Sequence, residues 1–194
     1  GHMFASEAEF DIVPDMIVCA KGLTSGYIPL GATIMNSKVY DVISQPQADG
    51  AMFTHGFTYS GHPVACAAAL KNIEIMEREN ICDHVMDVGA YFEQQIRGLG
   101  DLDIVGDVRG RKFMMCLENV ANKDTKELID AAAKVGNRIA DHCQARGLIV
   151  RPIAHMNVLS PPLILTRDDV DFLTATLRES IEATTADLRA EGYL

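Results

Sequence analysis

The stretch of sequence that decides the fold is residues 14–32, PDMIVCAKGLTSGYIPLGA. A short apolar run rich in strand-forming residues occupies residues 15–20, and a second apolar run follows at residues 31–35. Glycine and proline punctuate the loop between the two runs. The pattern predicts two buried strands with Lys21 at the exit of the first. Together with the helical segments that follow, it indicates an α/β fold class.

Lys21 is a candidate for covalent chemistry because it follows a buried strand directly. Desolvation at such a place disfavours the charged form of a lysine, and the neutral amine is the form that attacks an aldehyde to give an imine. A solvated lysine at a strand end is the ordinary alternative. Position alone leaves both interpretations open.

The segment after the second strand combines a short helix with a long loop. Ser37 is expected to cap a helix that ends near residue 43. The loop at residues 45–63 is rich in glycine and proline, and loops of this length usually carry function. Its aromatic residues are Phe53, Phe57 and Tyr59. Pro63 then suits the first position of an alanine-rich helix that continues to about residue 79.

A change of sequence pattern indicates a domain boundary near residue 80. Apolar residues then recur at helical spacing. They are Ile81, Val85, Val88, Phe92 and Ile96. The remainder predicts strands at residues 112–117, 148–153 and 158–165, and a helix over residues 128–139. Thr166 and Asp169 form a capping-box signature for a last helix. We therefore predict a partial large domain at residues 1–80 and a small α/β domain at residues 81–194.

Composition and charge exclude several classes of partner. The net charge of -10, from 17 basic and 27 acidic residues, argues against binding to nucleic acid or to an anionic membrane surface. No apolar run approaches the roughly 18 residues of a membrane span, and no secretory leader is expected. The five cysteines form no CxxC pair, so we expect reduced core residues and a cytoplasmic protein.

The segment around Lys21 resembles the cofactor-lysine segment of class III aminotransferases, in which a Pro-Asp-apolar strand delivers Ala-Lys-Gly before a glycine-containing turn. The resemblance continues in HGFTYSGHPVACAAALKNIEIMEREN from His55, VRGRKFMMCLE from Val108, GLIVRP from Gly147 and LSPPLILTRDDVD from Leu159. It implies the C-terminal portion of a fold-type I transferase that depends on pyridoxal 5′-phosphate (PLP), with an incomplete large domain plus a small C-terminal domain. TYSGHP looks most like the ω-amino acid:pyruvate branch of the family.

The resemblance also implies roles for individual residues. Lys21 is implied to hold PLP as an internal aldimine and then, as a free amine, to move the proton between substrate and cofactor. Phe57 and Thr58 are implied to reach the PLP phosphate of a neighbouring subunit, which implies a homodimer. Arg151 matches the mobile arginine that binds the substrate α-carboxylate and swings aside for simple amines. Tyr27, in the loop after Lys21, is a further candidate for the substrate pocket.

Local sequence leaves a second interpretation for most of these residues. Thr58 lies before a helix N-terminus, which binds anions, but local sequence alone favours an N-cap or turn without a ligand. Arg151 ends an apolar strand, where a surface salt bridge is the ordinary alternative to carboxylate binding. His55 and His62 lack further ligands, so no metal site is predicted. Arg109 and Arg111, within the VRG motif, are interpreted as structural support for the next strand.

The resemblance covers all 194 residues but begins just upstream of the Lys21 strand. The family's phosphate-cradling loop, ring-stacking aromatic residue and pyridine-binding aspartate have no counterpart here. GHMF at residues 1–4 continues the family's Arg-Thr-Gly-x-Met-Phe pattern, which leaves proteolytic, split-gene and engineered origins open. An N-terminal segment on a separate chain is thus an alternative partner to the homodimer.

The implied function is transamination of an amine or ω-amino acid with pyruvate or a similar oxo acid, impaired in this chain. A non-catalytic dimerising or structural remnant is one alternative. An aminomutase or decarboxylase on the same scaffold is the other.

Overall fold

The computed structural model describes residues 1–4, 6–45, 50 and 52–194. Contacts within the chain divide it into two compact units. The first comprises His2–Cys82, and the second comprises Asp83–Leu194 together with Gly1. The boundary falls in the first turn of a helix, α4 (Ile81–Gly98).

The first unit is built on a two-stranded antiparallel sheet. Its strands are β1 (Met16–Ala20) and β2 (Gly31–Met35), as predicted, and Met16 lies opposite Met35. The helices of this unit are α1 (Ser6–Phe10), α2 (Ser37–Ile43) and α3 (Pro63–Arg78). Between α2 and α3, residues 50 and 52–62 contain no helix or strand, while residues 46–49 and 51 of the predicted loop lie outside the described residues.

The prediction that β1 and β2 are buried is wrong for this chain. The exposed fraction is 79% for Val18, 49% for Met16 and 46% for Ile34. The physical reason is that, within the described part of the chain, each strand has one neighbour in a sheet of two strands, so its other edge and much of its faces lie open. Apolar composition indicates which residues favour burial, but not whether another element packs against them.

Caps and helix starts in the first unit follow ordinary helix chemistry. Asn36, not Ser37, caps α2, because the Asn36 side chain accepts a hydrogen bond from the Val39 N–H at 3.2 Å. Ser37 therefore occupies the first helical position, and the predicted cap is one residue too late. α3 begins with Pro63 as predicted, and the buried residues on it are Ala65 and Ala69.

The second unit packs a four-stranded antiparallel sheet against helices. The strands are β3 (Val105–Arg111), β4 (Met114–Asn119), β5 (Arg151–Ile153) and β6 (Met156–Leu159), in the spatial order β3-β4-β6-β5. The helices are α4, α5 (Val135–Ala145) and α6 (Arg167–Ala190). The predicted apolar stripe of α4 is confirmed, because α4 buries Phe92 and Ile96 completely. α6 likewise buries Leu177 completely. The Thr166–Asp169 capping box is also present.

Several predicted bounds in this unit are wrong because lysines adopt the left-handed conformation. Lys112 has φ of 49° and turns the β3–β4 hairpin, so the strand predicted from residue 112 begins at Met114. Lys134 also has φ of 49°, so α5 begins only at Val135. Leu128, predicted on that helix, instead forms an isolated bridge with Val120. β3 was not predicted. The strand predicted at residues 148–153 is present as the shorter β5, and the strand predicted at residues 158–165 corresponds to β6, which begins and ends earlier.

The structure tests two expectations from composition, namely reduced cysteines in the core and no membrane span. All five cysteines are free, but Cys143 is the one that is fully buried, so the expectation of core positions holds for it alone. Burial raises the pKa of the Cys143 and Cys116 thiols, which keeps both protonated at neutral pH. Within the described ranges, no helix is both long and apolar enough to cross a membrane.

Candidate active site

Lys21 opens a 3-10 turn, Lys21–Thr24, directly after β1. Its backbone lies in the left-handed region with φ of 51°, a conformation that costs a non-glycine residue about 1–2 kcal/mol. Such outliers persist where the surroundings hold them, and they cluster at functional sites. The Lys21 amine has no hydrogen bond or ion pair with any described residue. Lys21 is exposed, so the desolvation expected from a buried strand is absent in this chain.

Hydrogen bonds within the segment stabilise the turn. The Gly26 N–H donates to the Lys21 carbonyl at 3.1 Å, and the Ser25 N–H donates to the Gly22 carbonyl at 3.3 Å. The Thr24 hydroxyl, on a residue that is only 2% exposed, donates to the Ile28 carbonyl at 2.6 Å. The loop after Lys21 is therefore an ordered turn, although much of its surface is open.

Phe57 and Thr58 lie in a turn that leads into α3. The Phe57 N–H donates to the Ser60 hydroxyl at 2.8 Å, and the Ser60 N–H donates back to the Phe57 carbonyl at 2.9 Å. Thr58 is exposed, and its hydroxyl has no partner among the residues described. His62 precedes α3 without a side-chain capping bond, so the first-turn N–H groups of α3 are left for solvent or a ligand. A hydroxyl and free N–H groups are the donors that an anion requires.

Rings rather than metal ligands surround the histidines of this loop. His55 makes edge contacts with Phe53 and Phe57, at centroid distances of 5.9 and 5.6 Å. The His62 ring lies 6.0 Å from the Tyr59 ring. Among the described residues, no group of three or more His, Cys, Asp or Glu side chains could hold a metal ion.

The structure brings some of the predicted site residues together and leaves others apart. Tyr27 belongs to the Lys21 turn, because its N–H donates to the Thr24 carbonyl at 3.1 Å, and its side chain is 88% exposed. No hydrogen bond or ring contact between described residues joins Lys21 to Phe57 or Thr58. Lys21, Tyr27, Phe57 and Thr58 all lie in the first unit, whereas Arg151 lies in the second.

Arg151 stands on β5, the edge strand of the second sheet, opposite Val158 of β6. The guanidinium is exposed and forms no hydrogen bond or ion pair with any residue that the structure describes. Most other arginines of the chain form ion pairs with carboxylates. These are Arg78, Arg97, Arg109, Arg138, Arg146, Arg167, Arg178 and Arg189. Arg151 is therefore available to a carboxylate from outside the chain.

Arg109 has a different environment, which is occupied by protein carboxylates. Its guanidinium donates to Asp107 at 2.9 Å and forms a short contact with Glu118 on the paired strand. These partners raise the pKa of Arg109. In turn, Arg109 first and His155 second lower the pKa of Glu118. The expected structural role of Arg109 is in keeping with this cross-strand network.

A buried amide network supports the hairpin that carries Arg151. Asn119 donates to the His155 carbonyl at 2.7 Å and to the Asn157 side-chain oxygen at 3.0 Å. Asn157 in turn donates to the Gly136 carbonyl at 3.0 Å, so the network links β4, β6 and α5. Both asparagines are at most 1% exposed. Buried side-chain networks of this kind rigidify the elements they join.

One residue with a direct contact to the Lys21 turn was not found by the sequence analysis. The Asn72 side chain, on α3, donates to the carbonyls of Gly22 and Leu23 at 2.9 and 3.2 Å. A polar residue in an alanine-rich helix gives no sequence signal for such a contact. Only the packing of α3 against the turn reveals it.

The family model for class-III aminotransferases matches residues 1–181. The chain belongs to the class-III aminotransferase family. The uncharacterized aminotransferase y4uB of Sinorhizobium fredii (strain NBRC 101917 / NGR234) is 38% identical over 195 residues, which cover 99% of this chain and 42% of that protein. The mitochondrial gamma-aminobutyrate transaminase 1 of Oryza sativa subsp. japonica is 37% identical over 184 residues, covering 95% of this chain and 36% of the rice protein.

Solved structures agree with the family assignment. An amine transaminase from an uncultivated Pseudomonas species, in its PLP-bound internal aldimine form, matches with a TM-score of 0.89 and 41% identity, over 94% of this chain and 41% of that chain. The expected fold is thereby confirmed: this class-III aminotransferase chain has the α/β fold of PLP-dependent aminotransferases. The chain spans only about two fifths of the length of these relatives, between 36% and 42%.

The residues present fit PLP, which is the cofactor of this family. The primary amine of Lys21, which has no partner among the described residues, matches the cofactor's aldehyde. The Thr58 hydroxyl, likewise without a described partner and beside the uncapped start of α3, matches its phosphate. In this class-III aminotransferase chain, these two groups lie on separate turns of the first unit.

Proposed function

We propose that the protein at its natural length is a PLP-dependent transaminase that moves an amino group from an amine or ω-amino acid to pyruvate or a similar oxo acid. The observation that carries the proposal is Lys21, a lysine in a held left-handed turn at the end of β1 whose amine has no partner among the described residues. The TYSGHP loop favours the ω-amino acid:pyruvate branch. The amine transaminase and the gamma-aminobutyrate transaminase among the relatives support this substrate class.

Lys21 has two roles in the proposed reaction. Its amine would hold the cofactor until a donor amine arrives. PLP, when bound, supplies an electron sink for the carbanion that forms when the substrate loses its proton. As a free amine, Lys21 Nζ would take the proton from the substrate carbon and carry it to its next acceptor. An amine that is engaged by no carboxylate among the described residues is suited to both roles.

Phe57 and Thr58 are proposed to bind the cofactor phosphate of a neighbouring subunit, in a homodimer. The free Thr58 hydroxyl and the uncapped start of α3 support phosphate binding. The absence of any bond from this turn to Lys21, among the residues described, suits a role in a second copy of the site. Tyr27, 88% exposed beside Lys21, is proposed to line the substrate pocket.

Arg151 is proposed to bind the carboxylate of the ω-amino acid or of the oxo acid. A guanidinium binds a carboxylate through two parallel hydrogen bonds, and Arg151 has no competing carboxylate within the described part of the chain. Because β5 is an exposed edge strand, the long side chain can also turn away when the donor is a simple amine.

For the 194-residue chain alone we propose impaired activity, with residues 1–80 and 81–194 as a partial large domain and a small domain. Exposed apolar residues in the first unit support impairment, because a cofactor held at an open surface is weakly oriented. A non-catalytic dimerising remnant and dependence on an N-terminal segment in another chain are the alternatives in keeping with the same exposure. The free cysteines favour a reducing compartment, and we propose the cytoplasm.

The first experiment tests the attachment of PLP to Lys21. The protein at its natural length is incubated with PLP and reduced with borohydride, and its peptides are analysed by mass spectrometry. The pyridoxyl mass is expected on Lys21 and not on Lys38 or Lys71, which form ion pairs with Asp15 and Glu74. Lys21→Ala should carry no label. A label spread equally over the three lysines, or none on the wild type, would refute the assignment.

The second experiment tests the reaction and the role of Arg151. In a half-reaction with an amine donor, a transaminase leaves pyridoxamine phosphate and an oxo product, whereas a decarboxylase releases carbon dioxide and an aminomutase returns an isomer. Arg151→Met should raise the KM for pyruvate about 10- to 100-fold, the value of a charge-assisted carboxylate contact, with little change in the KM of an amine that lacks a carboxylate. Arg151→Lys keeps the charge and should lose less. Equal effects on both substrates would contradict carboxylate binding.

A further inference from the structure

We propose that Asn72 is a positioning residue whose side-chain amide holds the Lys21–Thr24 turn in the conformation that presents the Lys21 amine. The inference rests on the proposed function of Lys21 and extends it to a residue on a different element, α3. Asn72 donates to the carbonyls of Gly22 and Leu23, at 2.9 and 3.2 Å. It therefore contacts the two residues that follow Lys21 directly.

The turn requires support because its backbone is strained at both ends. Lys21 has φ of 51° and Ser25, which ends the turn, has φ of 52°. Left-handed residues without glycine's freedom persist only where surrounding contacts hold them. A lysine that must attack, release and re-form a bond at one place also gains from a fixed backbone, because misplaced catalytic groups lose rate steeply.

Asn72 supplies the hydrogen bonds that reach this turn from another element. The remaining bonds of the turn are local, between residues 21 and 28, and include those from Gly26 and Thr24. Within the described residues, Asn72 alone donates to the turn from outside that segment. The local bonds close the turn, and Asn72 attaches the closed turn to a 16-residue helix.

The orientation of the Asn72 amide follows from its partners. Both of its partners in the turn are carbonyl oxygens, so the nitrogen must face them, because the amide oxygen would meet two acceptors at hydrogen-bond distance. The same nitrogen also donates to the Met76 sulfur of its own helix at 3.8 Å. A carboxylate of the same shape offers no donor, which makes Asn72→Asp a test of the hydrogen bonds rather than of side-chain volume.

The first measurement needs no cofactor. Hydrogen exchange of the peptide containing Ser25, Gly26 and Tyr27, whose N–H groups close the turn, is followed in the protein at its natural length without PLP. Asn72→Ala and Asn72→Asp should both speed exchange of these amides about tenfold, the loss of roughly one to two net hydrogen bonds. Lys71→Ala, which removes only a surface pair with Glu74 on the same helix, should leave them unchanged.

The second measurement reads the cofactor without turnover. PLP affinity and the pH at which the visible band of the Lys21-bound cofactor changes are compared for wild type, Asn72→Ala, Asn72→Asp and Lys71→Ala. We expect about tenfold weaker PLP binding and a displaced pH midpoint in both Asn72 variants. If the wild type binds no PLP, the proposed function is refuted, but hydrogen exchange still tests whether Asn72 holds the turn. If the wild type binds PLP and Asn72→Asp matches it in exchange and in spectrum, the positioning role of Asn72 is refuted.

Discussion

Gly136→Ala is expected to destabilise the second unit, although alanine is the better helix former. Gly136 is the second residue of α5, where the helix crosses the β5–β6 turn. A Cβ there would lie 2.5 Å from the Ala154 carbonyl oxygen and 2.9 Å from the Met156 carbonyl oxygen. Both obstacles are backbone atoms, so no side chain can rotate away and the helix or the turn must move.

Opposing terms give the magnitude of the Gly136→Ala effect. Replacing glycine by alanine inside a helix stabilises by up to about 1 kcal/mol. Overpacking against fixed atoms costs about 1–3 kcal/mol, and a shift of α5 also weakens the buried bond from Asn157 to the Gly136 carbonyl, which adds about 1–3 kcal/mol. The net expectation is a loss of about 1–5 kcal/mol. Steric overlap therefore outweighs helix propensity.

Gly98→Ala is the matched control for the Gly136→Ala prediction. Gly98 ends α4 with φ of -61°, and a Cβ there meets nothing within 4 Å. Alanine should therefore stabilise by about 0.5–1 kcal/mol through the unfolded state. Urea unfolding followed by circular dichroism gives the overall change, and hydrogen exchange of β4 and β6 reports on the second unit. If Gly136→Ala is as stable as wild type, the close approach of α5 to the β5–β6 turn is refuted.

The remaining predictions concern a helix cap and an acid-sensitive carboxylate. Thr166→Ala should lower the free energy of unfolding by about 1 kcal/mol, because the Thr166 hydroxyl accepts a hydrogen bond from the Asp169 N–H at 3.2 Å. Thr166→Ser should retain most of this stabilisation. Equal stability of the wild type and both variants in urea would contradict the cap. Glu93 accepts from the Lys112 N–H at 3.0 Å and pairs with Arg97, which together hold the pKa of the Glu93 carboxyl below its ordinary value of 4.5. The folded protein therefore binds fewer protons than the unfolded chain in this range, and the stabilisation present above about pH 4.5 is lost as the pH falls through the lowered pKa. Thermal unfolding at pH 7, 4 and 3 should show a shallower acid-side decline for Glu93→Gln; an identical decline would refute the role of Glu93.

Sequence patterns predicted those parts of the fold that depend on local periodicity. The stripe containing Phe92 and Ile96 defined α4, and Pro63 marked the first residue of α3, because both signals follow from the geometry of a single helix. The segment around Lys21 identified the strand and the family. In each case the information lies within one element and does not depend on what that element packs against.

Features that depend on close backbone approach were not predicted. β3 contains Gly106 and Gly110, which look like loop residues in sequence. In the structure, a Cβ on Gly106 would overlap Val120. Gly110 has φ of 124°, and a Cβ on it would overlap the Met114 carbonyl. The glycines therefore permit the strand pairing rather than interrupt it. Lys112 follows β3 and Lys134 precedes α5, both in the left-handed conformation, for which lysine carries no sequence signal.

The two units differ in how completely their apolar residues are covered, and this difference bears on Lys21. Phe92, Ile139 and Leu177 of the second unit are 0% exposed, whereas Val18, Phe57 and Leu70 of the first are 79%, 77% and 70% exposed. Apolar residues that remain in water contribute nothing to stability, so burial of apolar surface stabilises the second unit more than the first. In the proposed reaction, PLP would be attached through the Lys21 amine, whereas turnover would also require the water-excluded surroundings on which charge stabilisation depends. We therefore expect PLP attachment and turnover to respond differently. Excluding water from Val18 and Phe57 should change the rate of turnover far more than it changes which lysine carries the PLP label.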